Sequence, residues 1–426
     1  MAGTPPARSA EPAAAISPRE PAPAARSLAK PLFWIAVAVI AAAGIFLRVE
    51  RSASFVGPGP DELFYRHFVD MTNAHGLFAY PEIVARYVEH QKKPESPLVL
   101  PPLRITFIAS GYLWTQITGS TSLEATHAVA CVASLVTLFV AGVFAWRIAG
   151  PGAGLAVFAL MAFAPMQIYS AQRALIDGFF ALWALLAMWS LWECLQDPTR
   201  RGWLAVYGVA IAAMVMTKEN AFFVYVAIGG ILLASHWLKI GRATLPLYAT
   251  TIIAPAVAVL VLIVAAGGVT EMLEVYRTNV QKSVISPYAI KTGDGPWHRY
   301  LLDLITVDPF IVLLAAGALF NITKATKPAL YLGLFIVGTY LLMCQVRYGM
   351  NLRYTNIWDM PLRCLAVWQL IRLTSPIPAR ARHVVLIGMV AALCLLEWQQ
   401  YELLFVDTPI YDPVPEALGR ALGILK

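Results

Sequence analysis

Two adjacent carboxylates, Asp61 and Glu62, stand just behind Pro58 and Pro60. Such a pair offers a general base whose affinity for a proton is set by burial and by nearby cations. Acids that open a helix can also serve only as partners of its dipole. Two neighbouring acids hold different protonation states, so either one qualifies as the base. A third acid, Asp177, follows Arg173 by four residues, which puts both on one face of a helix, as a working pair or as a bare structural ion pair. Lys218 and Glu219 fall between two apolar runs with hardly any loop, where a lysine either snorkels to water or meets an anion. Arg104, Arg299, Arg347 and Arg353 add guanidinium forks of the kind that grip phosphate-like anions with two bonds, or anchor to lipid headgroups. His127, alone at a helix start, reads more readily as structural than as a ligand.

The elements that must position these residues are set by composition. Of 426 residues, 59% are apolar and 13% charged, and the mean hydropathy is +0.65. Soluble domains run at about 45–50% apolar and about 25% charged. A water-soluble globule is excluded, and the sequence implies an all-α polytopic membrane protein. Cys131, Cys194, Cys344, Cys364 and Cys394 lie in or beside apolar runs without metal-ligand spacing and read as small buried hydrophobes.

Apolar runs long enough to cross a bilayer are expected near 31–47, 125–147, 152–170, 178–195, 203–217, 219–238, 243–267, 304–320, 328–345, 354–372 and 383–403, giving about eleven spans. The short connections between them carry Arg147, Arg200, Arg201, Lys239, Arg242, Lys324, Lys327, Arg372, Arg380 and Arg382 against the single acid Asp197. The positive-inside rule places them in the cytoplasm. They share that side with the N-terminus only if 103–118 lies flat in the outer interface instead of spanning. All but Glu11, Glu20, Glu193 and Asp197 of the 25 acids then gather on or near the outer face. Any chemistry is expected there.

Residues 1–30, rich in Ala, Pro and Ser, cannot bury a core and are expected to form a disordered cytoplasmic tail ahead of a membrane domain over 31–403. Two large outer loops, 50–122 and 268–303, interrupt that domain, and 404–426 forms a short outer tail. The first loop is too long for a plain connection. Within it, 61–75 reads as an amphipathic juxtamembrane helix with Leu63, Phe64, Phe68 and Met71 on its apolar stripe.

The order of several segments resembles the GT-C superfamily of membrane glycosyltransferases, closest to the protein O-mannosyltransferases and lipid A aminoarabinose transferases. PDE follows the first span and PPL closes the first loop. RIAGPGAGLAVFALMAFAPMQIYSAQRALIDGFFALWALLAMW resembles the next two spans, AAMVMTKENAFFVYV the family's TKG turn, GPWHRYLLDLITVDPF its PWYYY segment, and RYTNIWDMPLRCLAV its late Arg-Tyr…Pro span. Two positions depart from the pattern: Leu100 stands where the aminoarabinose transferases carry a lysine before PPL, and His127 where an arginine is usual.

The resemblance implies an inverting transferase that moves a sugar from a polyprenyl-phosphate donor to a hydroxyl of a glycan, lipid or protein on the outer face. Asp61 would be the base with Glu62 beside it, and Asp177 would orient acceptor or base. Arg353 first, then Lys218, Arg173, Arg104, Arg299 and Arg347, would meet the donor phosphate. Tyr65, His127, Trp297, Tyr300 and Tyr354 would line the substrate pocket. A divalent ion, if any, would sit on Asp61 and Asp177, and is not expected to be essential. Lipid-linked donor, acceptor and membrane lipids are the implied partners, without nucleic acid. A bacterial inner membrane is the expected location, with the N-terminus inside. The rival reading is a transporter or flippase of lipid-linked sugars, which should show repeated halves and charges near mid-membrane; no internal repeat is visible.

Overall fold

The computed structural model describes residues 23–50, 52, 57–293, 295–324, 326–346 and 350–407. Arg347, residues 1–22 of the expected N-terminal tail and residues 408–426 lie outside the described residues. The described regular structure is helical throughout. In chain order the helices are α1 (Pro23–Val49), α2 (Pro60–His75), α3 (Tyr80–Lys92), α4 (Ile105–Thr118), α5 (Ser122–Ala149), α6 (Pro151–Ala162), α7 (Pro165–Gln172), α8 (Ile176–Gln196) and α9 (Arg201–Thr217). Then come α10 (Ala221–Leu238), α11 (Leu245–Ala266), α12 (Val269–Ile285), α13 (Pro287–Gly293), α14 (Arg299–Val307), α15 (Pro309–Leu319), α16 (Lys327–Met343), α17 (Asp359–Leu373) and α18 (Ala379–Tyr401). A 3-10 segment, Leu352–Trp358, leads into α17. Helix α1 begins at Pro23, eight residues before the expected span, because Ala-Ala-Arg-Ser-Leu-Ala-Lys is good helix-forming sequence.

Among the described residues, six helices are long and apolar enough to cross a membrane: α1, α5, α8, α10, α11 and α18. The pair α6 and α7, bent by 50° at Phe163–Ala164, makes a seventh when taken as one broken span. The other four expected spans correspond to α9, α15, α16 and α17, of 17, 11, 17 and 15 residues. Each is shorter than the roughly 20 residues of a perpendicular crossing, so the expected count of eleven is not established. Helix α4, 14 residues long, packs on α2, α5 and α9.

The central element is α8, whose apolar window is 83% buried against neighbours. It packs chiefly on α9 and α5, and the main core gathers around it, including Ala184, Met188, Tyr207, Met214 and Leu365. A second core lies under the first loop, where Tyr65, Phe68, Val69, Ile83, Val84 and Phe107 meet α5, α8, α11 and α12.

Two buried polar devices hold the frame. Where α6 ends, its last carbonyls lack helical partners. The Arg48 guanidinium of α1 donates to Met161 O at 2.8 Å, Ala162 O at 3.0 Å and Gly44 O at 3.0 Å, and to Ser134 Oγ at 2.9 Å. Farther on, fully buried Arg363 of α17 lies 2.6 Å from Glu397, 3.2 Å from Asp359 and 3.4 Å from Asp308. That cluster ties α15, α17 and α18 together directly beneath Leu352–Trp358. Gln167 of α7 joins it through a 2.7 Å bond to Asp359.

Candidate active site

Helix α8 fixes two ends. At its N-terminus is Asp177; at its C-terminus Glu193 binds Arg147 at 3.0 and 2.9 Å. Sixteen residues of helix separate the two acids, about 24 Å of rise. The basic connections Asp197–Arg200 and Lys239–Arg242 lie at the Glu193 end, where Arg242 N–H donates to Leu195 O at 2.8 Å. The end marked by Asp177 gathers the residues expected to do chemistry. Helix α2 starts there, α9 delivers Lys218 there, α10 begins there, and Arg104 caps α4 beside them.

Asp61, in the first turn of α2, accepts from Arg353 Nη1 at 2.5 Å. The same guanidinium atom lies 3.7 Å from Asp177 Oδ2, and Asn351 Oδ1 steadies Arg353 Nε at 3.1 Å. Lys218 donates to Asp177 Oδ1, and its ammonium sits 3.7 Å from the centre of the Tyr354 ring. Arg104 donates to Tyr65 Oη at 2.6 Å and to Glu219 Oε2 at 3.1 Å. Burial pushes the Tyr65 phenol up. Burial raises the Glu219 carboxyl, but the Arg104 guanidinium, hydrogen bonding and Lys218 together outweigh it and leave the group below its usual range. Three cations and three acids thus alternate across one end of the bundle. Asp61 and Glu219 are its more open acids, with side chains 21% and 27% exposed, against 3% for Asp177.

Glu62 belongs to a different arrangement. It is 1% exposed; Oε1 lies 2.8 Å from His127 Nε2, and Oε2 lies 3.0 Å from Arg173 Nη2 and 2.5 Å from the Gly59 amide. A side chain on Gly59 would come within 2.7 Å of Arg173 Nη2 and would have to displace the end of that arginine. The expected apolar stripe of α2 is corrected accordingly. Its buried face is Glu62, Tyr65, Phe68, Val69 and Thr72, while Leu63 is exposed. Polar partners at Glu62 and Tyr65 rotate the helix away from the face that apolarity alone favours.

The i to i+4 alignment of Arg173 with Asp177 is also corrected. Helix α7 stops at Gln172, and Ala174 takes a left-handed φ of 48°. The break sends Arg173 to Glu62 and Gly57 O, and Asp177 to Lys218 and Arg353. Arg299 pairs along its own helix with Asp303 at 3.6 Å. Tyr300 is buried edge-on against Trp358, and Trp297 is exposed, its carbonyl receiving Tyr340. Of the expected set, the structure therefore joins Asp61, Asp177, Lys218, Arg353, Tyr354, Arg104 and Tyr65. It groups Glu62, His127 and Arg173 beside them. The sequence reading noted Glu219 only as a charge between two apolar runs, and gave Asn351, two residues before Arg353, no role.

Among the described residues no three His, Cys, Asp or Glu side chains converge where a metal ion would sit. Asp61 and Asp177 are both turned to Arg353, so the donor set does not fit a divalent ion in this arrangement.

A family model described as dolichyl-phosphate-mannose-protein mannosyltransferase matches residues 79–277, less than half of the chain. No curated protein sequence matches significantly. Among solved structures, the oligosaccharyltransferase of Archaeoglobus fulgidus superposes with a TM-score of 0.60 at 11% identity, over 87% of this chain and 55% of that one. ArnT from Cupriavidus metallidurans superposes at 0.52 and 18% identity, over 93% and 69%. Its complex with undecaprenyl phosphate gives 0.53 at 17% identity, over the same shares. The chain shares the fold of these proteins. It spans little more than half the length of the archaeal enzyme it superposes on.

Proposed function

We propose that the chain is an inverting glycosyltransferase that moves a sugar from a polyprenyl-phosphate donor to an acceptor hydroxyl on the outer face of the membrane. One observation carries this reading: a partly exposed carboxylate, Asp61, is held against Arg353 beside Lys218 and Arg104. The chemistry needs a base for the acceptor proton and cations for the phosphate that leaves. Asp61 removes the proton. The acceptor oxygen attacks the anomeric carbon on the face opposite the phosphate, and the carbon–oxygen bond to phosphate breaks with its electrons on the leaving oxygen. Arg353 and Lys218 meet the charge that develops there. Asp177 holds both cations in place, and Glu62 fixes the start of α2 through His127 and Arg173.

The match to the mannosyltransferase family model and the superposition on an undecaprenyl-phosphate complex support a lipid-phosphate donor. The acceptor is a hydroxyl of a glycan, lipid or protein. The placement of the basic connections at the end of α8 remote from Asp177 supports a cytoplasmic N-terminus and an outward-facing site, in a bacterial inner membrane. The domain runs over 31–403, flanked by a cytoplasmic tail and a short outer one.

The test is transfer by the purified full chain in nanodiscs, with radiolabelled polyprenyl-phosphate sugars and a crude envelope acceptor. Wild type and Asp61→Asn are compared, with EDTA in a parallel arm. Transfer that the Asn variant loses supports the reading. If no donor is consumed and lipid-linked sugar instead changes leaflet in proteoliposomes, the chain is a transporter.

A further inference from the structure

Each cation of the site already carries an acid, so an incoming phosphate must take a cation from a carboxylate. The Lys218–Asp177 pair is sealed, with both side chains 3% exposed. Among the described residues, the open acids that face these cations are Asp61 and Glu219. Asp61 is committed to the acceptor in the reading above. Glu219 sits in the tight turn between α9 and α10, and holds Arg104 by one oxygen at 3.1 Å. Arg104 itself is buried; Tyr65 holds Nη1, Glu219 shares Nη2, and Nε has no hydrogen-bond partner. A buried guanidinium with spare donor capacity beneath a partly exposed carboxylate is a site prepared for a second anion.

We infer that Glu219 is a resident stand-in for the donor phosphate. It neutralises Arg104 in the empty site, gives way when the phosphate group binds, and returns to expel the polyprenyl phosphate left after transfer. This deepens the proposed function and rests on it. The carboxylate lowers affinity for the lipid phosphate, and in exchange shortens the time the spent carrier stays bound.

The experiment measures binding of undecaprenyl phosphate to the full chain in nanodiscs, with inorganic phosphate as competitor to separate lipid phosphate from free anion. Glu219→Gln should bind undecaprenyl phosphate roughly three- to tenfold more tightly than wild type, the range expected for removing one partly exposed ionic competitor. Turnover at saturating donor should fall, because release slows. Arg104→Gln should bind more weakly, and Arg104→Gln/Glu219→Gln should bind no better than Arg104→Gln alone. Glu219→Ser serves as a second variant, with thermal unfolding followed for each.

Unchanged or weaker binding by a folded Glu219 variant overturns the inference, as does tight binding by the double variant. Failure of both variants to fold also overturns it, since a carboxylate needed for folding is not one that leaves its partner. Displacement of the lipid by inorganic phosphate alone, at equal affinity, shows an anion site without lipid selectivity and rejects the carrier role. If wild type binds no undecaprenyl phosphate, the proposed function itself fails; if it binds and the variants bind no tighter, only this inference does.

Discussion

Asp61 and Arg353 meet at 2.5 Å across 292 residues of chain. The arginine is shared, with Asp177 on the same nitrogen at 3.7 Å, so one cation spans a partly open acid and a sealed one. In the proposed mechanism the open acid works and the sealed one holds. Asp61→Asn keeps the shape and the hydrogen-bonding capacity but removes the base. It should lower kcat by about 10²–10⁴-fold, the usual contribution of general base catalysis, with donor binding retained. Steady-state transfer assays with a parallel binding measurement check this; a fall in donor binding alone would assign Asp61 to the donor instead.

Glu62 should behave differently from its neighbour. Its carboxylate is buried, accepts from the Gly59 amide and lies within 3.0 Å of His127 and Arg173. Glu62→Leu leaves the Arg173 guanidinium without that partner and should destabilise the chain by about 3–5 kcal/mol. Glu62→Gln retains part of the bonding and should keep measurable transfer where Asp61→Asn does not. Thermal unfolding alongside transfer separates the two effects. Equal loss of kcat in both Asn and Gln variants at unchanged stability would place Glu62 in the chemistry.

These contrasts show what was legible in the sequence. The helical membrane architecture followed from apolar runs, because span length and hydropathy are local properties. Lys218 stood out because a charge between apolar runs is costly without a partner, Asp61 as one of a carboxylate pair, Asp177 by its spacing from Arg173, and Arg353 through the family resemblance. What stayed hidden was pairing at long range. Nothing local says that Glu62 meets His127 and Arg173, or that Arg104 meets Glu219. Ala174 gives no signal of a left-handed break, so helical spacing joined Arg173 to Asp177. In the Arg363 cluster Asp359 is a local i,i+4 partner, but Asp308, from the turn before α15, and Glu397, from α18, are brought to the guanidinium only by the fold.

Asp303 supplies a pH signature. Burial raises its carboxyl to about 6 from 3.8, with Arg299 opposing the shift. The folded state therefore binds more protons than the unfolded state between those values, and stability should fall as pH rises through this window. Asp303→Asn should remove that slope and stabilise the chain at pH 7 by about 2–3 kcal/mol, the equivalent of two pH units. Unfolding measured from pH 4 to 7 in both proteins decides it; an unchanged slope in the variant would assign the dependence to another group.

Arg363 is the cation that Asp308, Asp359 and Glu397 share. Arg363→Leu leaves Asp308, Asp359 and Glu397 without it in a buried setting, and should cost about 3–5 kcal/mol. Pairing that change with Asp359→Asn and Glu397→Gln should recover part of the loss, because two of the three buried acids are neutralised with it. Unfolding of the single and triple variants is the check. A triple variant no better than the single one would mean that the arginine acts by packing.

The Arg48 contact at the bend between α6 and α7 has a consequence for biosynthesis. The arginine leaves the ribosome 114 residues ahead of Ala162, whose carbonyl it finally caps. Until that carbonyl exists, the guanidinium has only Gly44 O of its own helix and then Ser134 Oγ to bind, and hydrocarbon is a poor place for its remaining donors. The end of α1 therefore settles only when the broken segment has been made and its terminal carbonyls take up the arginine's remaining donors.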